Sequence, residues 1–93
     1  MFGLSEQVLS QIKEVIQKYN YKFVIFGSRA KGNFKDNSDI DIAVLGEVDF
    51  DEKIKIKDEL TSLNIPYFVD VVFVNSLVKQ ELINSINNDG VEL

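Results

Sequence analysis

The chain contains neither cysteine nor histidine. The first absence excludes disulfides and thiolate metal sites. The second excludes an imidazole base, a Ser-His-Asp triad and the ordinary zinc ligand sets. Any catalysis must therefore run on carboxylates, Lys, Arg, Tyr, Ser and metal ions. Long apolar runs are missing as well. The longest, such as Val71 to Val74, span four or five residues, against the roughly 18 that a membrane-crossing helix needs. No secretory leader is visible, and the expected location is the cytoplasm. Positive charge is scarce, with a net charge of −5 and one arginine among the ten basic residues. Such a chain is a poor candidate for general nucleic-acid binding, because phosphate contacts need clustered Lys and Arg.

At 93 residues, 45% hydrophobic and with seven Phe, the chain has the material for one domain with a real core. It is too short to add a second, substrate-holding module. We therefore expect a single domain over residues 1–93.

The apolar spacing of Leu4, Val8, Leu9, Ile12, Val15, Ile16 and Tyr19 predicts an amphipathic helix over residues 4–19, ending near Asn20. Lys22 to Phe26 is a short β-favouring run, stopped by Gly27. Ser28 to Lys31 opens a short helix, and the polar stretch to Ser38 reads as loop. From Asp39 to Leu45 the pattern alternates. Ile40, Ile42 and Val44 form a buried face, while Asp39, Asp41 and Ala43 form a functional or solvated one. Residues 49–63 carry both a strand-like Lys-Ile alternation and an imperfect helical stripe; their length and their Glu and Lys content favour a helix. Pro66 breaks the chain, and Tyr67 to Val74 is an apolar strand interrupted by Asp70. Val78, Leu82, Ile83 and Ile86 predict a last helix capped by Asn75 or Ser76, and Val91-Glu92-Leu93 a short edge strand. The link between Phe26 and Asp39 is short, so the first two strands should run antiparallel and the sheet should be mixed.

Ten residues separate Gly27-Ser28 from Asp39-Ile40-Asp41. A Gly-Ser turn offers exposed backbone N–H groups that suit phosphate oxygens. Carboxylates two apart on a strand face one way, a costly arrangement unless cations sit between them. The alternative is a plain solvated strand face, although Asp is disfavoured in strands. Asp70, read as buried within Tyr67 to Phe73, needs either a Lys partner or a place beside Asp39 and Asp41. Arg29, Lys31 and Lys35 follow the turn directly, and a guanidinium forks well onto phosphate. A Lys-rich composition accounts for the same cluster by chance. Together the parts describe a phosphate cradle beside a divalent-ion cradle, the equipment for phosphoryl or nucleotidyl transfer.

Gly27-Ser28-Arg29-Ala30-Lys31-Gly32, then Ser38-Asp39-Ile40-Asp41-Ile42-Ala43-Val44, with Asp70 downstream, resembles the nucleotidyltransferase superfamily that includes DNA polymerase beta. In length and motif the chain is most similar to the minimal nucleotidyltransferases, the MNT proteins of HEPN/MNT toxin–antitoxin pairs. The resemblance implies a polymerase beta-like α/β (α+β) fold, a small mixed sheet flanked by helices. It implies that Asp39, Asp41 and Asp70 hold two Mg²⁺ ions, that Asp70 helps deprotonate the acceptor, and that Gly27 and Ser28 hold the β- and γ-phosphates of ATP, with charge added by Arg29 and Lys31. It further implies AMP transfer to a hydroxyl, a tyrosine in the antitoxin members, of a HEPN-type toxin in a hetero-oligomer. Two other readings stay open: an antitoxin that works by contact alone, and one subunit of a small-molecule nucleotidyltransferase. Phe2, Leu4 and the C-terminal residues are either interface material or core edges.

Overall fold

The computed structural model describes residues 1–74 and 80–93. The expected cap at Asn75 or Ser76, and Val78, lie outside the described residues.

The first helix, α1 (Glu6–Ile16), is shorter than its apolar spacing suggests. Ser5 is extended at φ −67° and ψ 160°, and its Oγ accepts from the N–H of Val8 at 3.2 Å, which fixes the start. Leu4 and Tyr19, just outside the helix, still pack on the core. Strand β1 (Lys22–Phe26) follows, then the single turn α2 (Ser28–Lys31) and strand β2 (Ile40–Leu45). The ambiguous stretch is helical: α3 (Phe50–Thr61) is capped by Asp49, whose Oδ1 accepts from the N–H of Glu52 at 2.8 Å. Ile56 and Leu60, four apart and fully buried, anchor it, while Ile54 points to solvent. Strand β3 (Val69–Val74), helix α4 (Gln80–Asp89) and strand β4 (Val91–Glu92) complete the order.

The four strands run β3-β2-β1-β4 across one sheet. β1 is antiparallel to β2 and to β4, and β2 is parallel to β3. The sheet is mixed, as expected. The parallel pair requires a crossover, which α3 supplies.

One face of the sheet carries the larger core. Val8, Ile12 and Val15 of α1 and Ile56 and Leu60 of α3 cover Phe23, Ile25, Ile40, Ile42, Val44 and Val71. The other face is not the solvated surface that the alternation of β2 suggested. Ala43 is fully buried there with Val24, Phe26 and Ile86, because α4 lies across this face. The residues of β2 that alternate with the main core therefore divide between a second, small core and an uncovered end. Leu4 is buried, and Phe2 and Leu93 pack against the main core, whereas Val91 and Glu92 are exposed.

Candidate active site

Strand polarity brings three segments to one end of the sheet. β1 ends there, and β2 and β3 begin there. Phe26, the last residue of β1, is opposite Asp41, and Asp41 is opposite Asp70 on the other side. Neighbouring strands lie about 4.8 Å apart, so the Asp41 and Asp70 backbones are adjacent. Asp41 shares its strand face with Ala43, and Asp70 shares its face with Val72, so both side chains rise on the α4 side, at the end that α4 leaves uncovered. Asp39 sits one residue before β2, two from Asp41.

The electrostatics follow from this placement. Burial and the charges of Asp70 and Asp39 together push the Asp41 carboxyl above its ordinary value. Asp41 thus senses both of its acidic neighbours. Among the described residues none of them forms an ion pair with Lys or Arg; the pairs found are Lys18–Glu59, Lys22–Glu92 and Lys31–Asp89. Asp70 corrects the expectation of a buried carboxylate. β3 is an edge strand, Val71 is its only buried residue, and Asp70 is exposed. Its charge is felt at Asp41, whose carboxyl it helps to push up.

The turn after β1 is shaped around Asp41. Gly27 adopts φ 76° and ψ −154°, a region open essentially to glycine alone. A Cβ there would collide with Oδ2 of Asp41. Ser28 begins α2, whose first N–H groups have no intrahelical acceptor. Gly27 and the central carboxylate therefore lie against each other where β1 ends and β2 begins.

Arg29 does not fit the role of a phosphate ligand. Only 2% of it is exposed, and its guanidinium points into the protein. Nε donates to the carbonyl of Ser38 at 3.1 Å, Nη1 to that of Phe2 at 3.0 Å and Nη2 to that of Asp36 at 3.3 Å. The cation also lies 4.5 Å from the ring centroid of Tyr67 and 5.0 Å from that of Phe34. Its charge is spent on holding the N-terminus, the loop before Asp39 and the segment leading into β3. Lys31, two residues on, falls on the opposite side of the helical turn. It is exposed, with Nζ 3.6 Å from Oδ2 of Asp89 on α4, a surface pair that contributes little to stability. The loop is fastened further by Ser38, whose Oγ accepts from the N–H of Lys35 at 2.8 Å.

The donor chemistry fits a hard divalent cation: carboxylate oxygens with no Lys or Arg partner among the described residues, one with its proton affinity raised by burial and by the other two. As the side chains are placed, no three acidic groups among the described residues converge on one point. Asp39 and Asp70 are exposed, so packing does not hold their side chains in these positions.

Comparison with known proteins identifies the family to which this fold belongs. The family model "Polymerase beta, Nucleotidyltransferase" matches residues 10–93, and the chain belongs to that family. A Methanocaldococcus jannaschii protein named protein adenylyltransferase MJ0604 is 42% identical over 60 residues, 64% of this chain and 54% of that protein. Protein adenylyltransferase MntA of Haemophilus influenzae is 30% identical over 73 residues, 74% of this chain and 64% of its own. The chain thus spans between half and two thirds of these two relatives. A crystal structure of a toxin–antitoxin with AMP-PNP superimposes with a TM-score of 0.68 at 26% identity, over 89% of this chain and 69% of that one. A mutant of the toxin–antitoxin MntA–HpeT gives a TM-score of 0.63 at 26% identity, over 96% and 72%. Among the described residues no helix is long and apolar enough to cross a membrane.

Proposed function

We propose that this domain transfers AMP from ATP to a hydroxyl of a partner protein, and that it serves as the antitoxin of a toxin–antitoxin pair. The observation that carries the reading is the meeting of Gly27-Ser28 with Asp39, Asp41 and Asp70 at one end of the sheet. The protein adenylyltransferase relatives and the toxin–antitoxin neighbours support it. Within this proposal the toxin is of the HEPN type, its modified residue is a tyrosine, and the reaction takes place in the cytoplasm.

The reaction balances without any further reactant. The acceptor oxygen attacks the α-phosphorus, a P–O bond forms to it, the bond to the β-phosphate oxygen breaks, and pyrophosphate leaves. The Ser28 hydroxyl and the N–H groups of the turn donate to the β- and γ-phosphate oxygens. Lys31 adds positive charge on the outer side of α2. Asp70 accepts the proton of the attacking hydroxyl. Asp39, Asp41 and Asp70 would hold two Mg²⁺ ions, which when bound neutralise the carboxylates and offset charge on the departing phosphates.

The test uses ATP labelled at the α-phosphate, Mg²⁺, this protein and the protein encoded beside it. Metal-dependent label on the neighbour, absent with Asp39→Asn/Asp41→Asn, supports the reading. A double variant that still binds and inhibits the neighbour, with no label transferred by either form, would replace it with neutralisation by contact. Label on a small molecule instead would make the chain a subunit of a different enzyme.

A further inference from the structure

Phe68 is 83% exposed, the most exposed Phe of the fold, and it stands immediately before β3 on the open edge of the sheet. Exposure alternates along this segment. Tyr67 turns in to stack on Arg29 and Val69 packs on the core, while Phe68 and Asp70 face solvent together. The backbone of Phe68 is held in place: its carbonyl accepts from the N–H of Ile40 at 2.9 Å, next to Asp39. The ring is thus an apolar surface on a fixed stem, about 6.6 Å along the chain from the Asp70 position.

We propose that Phe68 is the platform for the acceptor, a positioning residue on which the tyrosine ring already assigned to the acceptor stacks. The proposal rests on the adenylyl-transfer reading above. Displacement at phosphorus places the entering and leaving oxygens in line on opposite sides. With the leaving pyrophosphate at Gly27-Ser28, beyond β1, the entering oxygen comes from the far side of β2. Strand order puts β3 there, with Asp70 and Phe68 on it. The nucleoside hangs from the α-phosphate off this axis, which leaves the in-line position on the β3 side to the acceptor. The surroundings narrow the acceptor class. Asp39, Asp41 and Asp70 make the rim anionic, which disfavours an acidic neighbour. A ring stacked on Phe68 gains apolar contact while its hydroxyl reaches the carboxylates.

The experiment compares the full chain with Phe68→Ala and Phe68→Tyr, using labelled ATP, Mg²⁺ and two capped peptides that differ only in a central tyrosine or serine. Phe68 is so exposed that the variants keep the wild-type Tm. The expected result is transfer to the tyrosine peptide with the KM for that peptide raised about tenfold in Phe68→Ala, restored in Phe68→Tyr, and the KM for ATP unchanged. Equal transfer by Phe68→Ala overturns the platform and leaves the transfer reading standing. A raised KM for ATP in place of the peptide's makes Phe68 a base contact and also overturns it. Peptide binding to the protein loaded with AMP-PNP, followed by the shift of the Phe68 amide resonance, supplies the second measurement. Binding at Phe68 without transfer keeps the platform and refutes the transfer reading; absence of binding sinks the platform.

Discussion

Gly27 and Asp41 lie so close across β1 and β2 that no side chain fits between them. The glycine is needed twice, for its backbone angles and for the room it leaves. Gly27→Ala is expected to lose about 1–3 kcal/mol from backbone strain alone. It should also displace the Asp41 carboxylate. Thermal unfolding reads the first effect, and Mg²⁺ binding the second. A variant with unchanged Tm and metal affinity would show that the turn relaxes freely.

Asp41 destabilises the metal-free fold at neutral pH. Its carboxyl is held above its ordinary value by burial, then by Asp70, then by Asp39. The folded state therefore holds this proton more tightly than the unfolded state. The stability this group contributes is full below the unfolded value, about 3.9, and is lost as pH rises through the folded one. Asp41→Asn in EDTA should melt higher than wild type at about pH 7, with the gap closing below about pH 4. A gap of the same size at both pH values would contradict this account.

Adding Mg²⁺ should reverse that order. Ions bound only by the folded protein raise its Tm by mass action. The wild type should gain and Asp39→Asn/Asp41→Asn should not. Calorimetric scans with and without millimolar Mg²⁺ distinguish the two; equal gains would place the ions elsewhere.

Arg29 joins Phe2, near the N-terminus, to the loop before Asp39. Arg29→Met strands the carbonyls of Phe2, Asp36 and Ser38, and should cost about 2–5 kcal/mol. Arg29→Lys keeps the charge but not the fork, and should fall between Met and wild type. Direct binding measurements should show ATP affinity nearly unchanged in folded Arg29→Lys. A large loss of affinity at full folding would return Arg29 to the phosphates.

Far from the site, the Tyr21 hydroxyl donates to Oε2 of Glu52, tying the residue before β1 to α3. This bond, with burial and the negative charge nearby, pushes the phenol up to about 12. The contribution is full below the ordinary phenol value of about 10, and is lost as pH rises through about 12. Phenolate absorbance, taken as the difference from Tyr21→Phe, should titrate late in the wild type and earlier in Glu52→Gln. Identical midpoints would remove Glu52 as the cause.

Periodicity alone was enough to show that α1 exists, because its apolar residues recur at helical spacing, but not where it starts, which the Ser5 cap fixes two residues later than the spacing suggests. The sequence left α3 ambiguous, because Lys53 to Lys57 alternates. Burial of Ile56 and Leu60 under the sheet is a tertiary event that decided it. Phe68 was overlooked for a related reason. An aromatic residue in an apolar run reads as core until the strand's place at the sheet edge is known.

By itself the sequence determined the chemistry: no imidazole, no thiol, a Gly-Ser turn and two aspartates on one strand face, with a third on a later strand. It also determined an antiparallel first pair, since the link between Phe26 and Asp39 is short. Only the tertiary structure decided which charges face outward. Asp70 is exposed because β3 ends the sheet, and Arg29 is buried because its α2 side chain turns towards carbonyls and rings supplied by Phe2, Phe34, Asp36, Ser38 and Tyr67. Whether a charge is buried depends on which distant segments surround it, and residue spacing along one strand or turn does not contain that information.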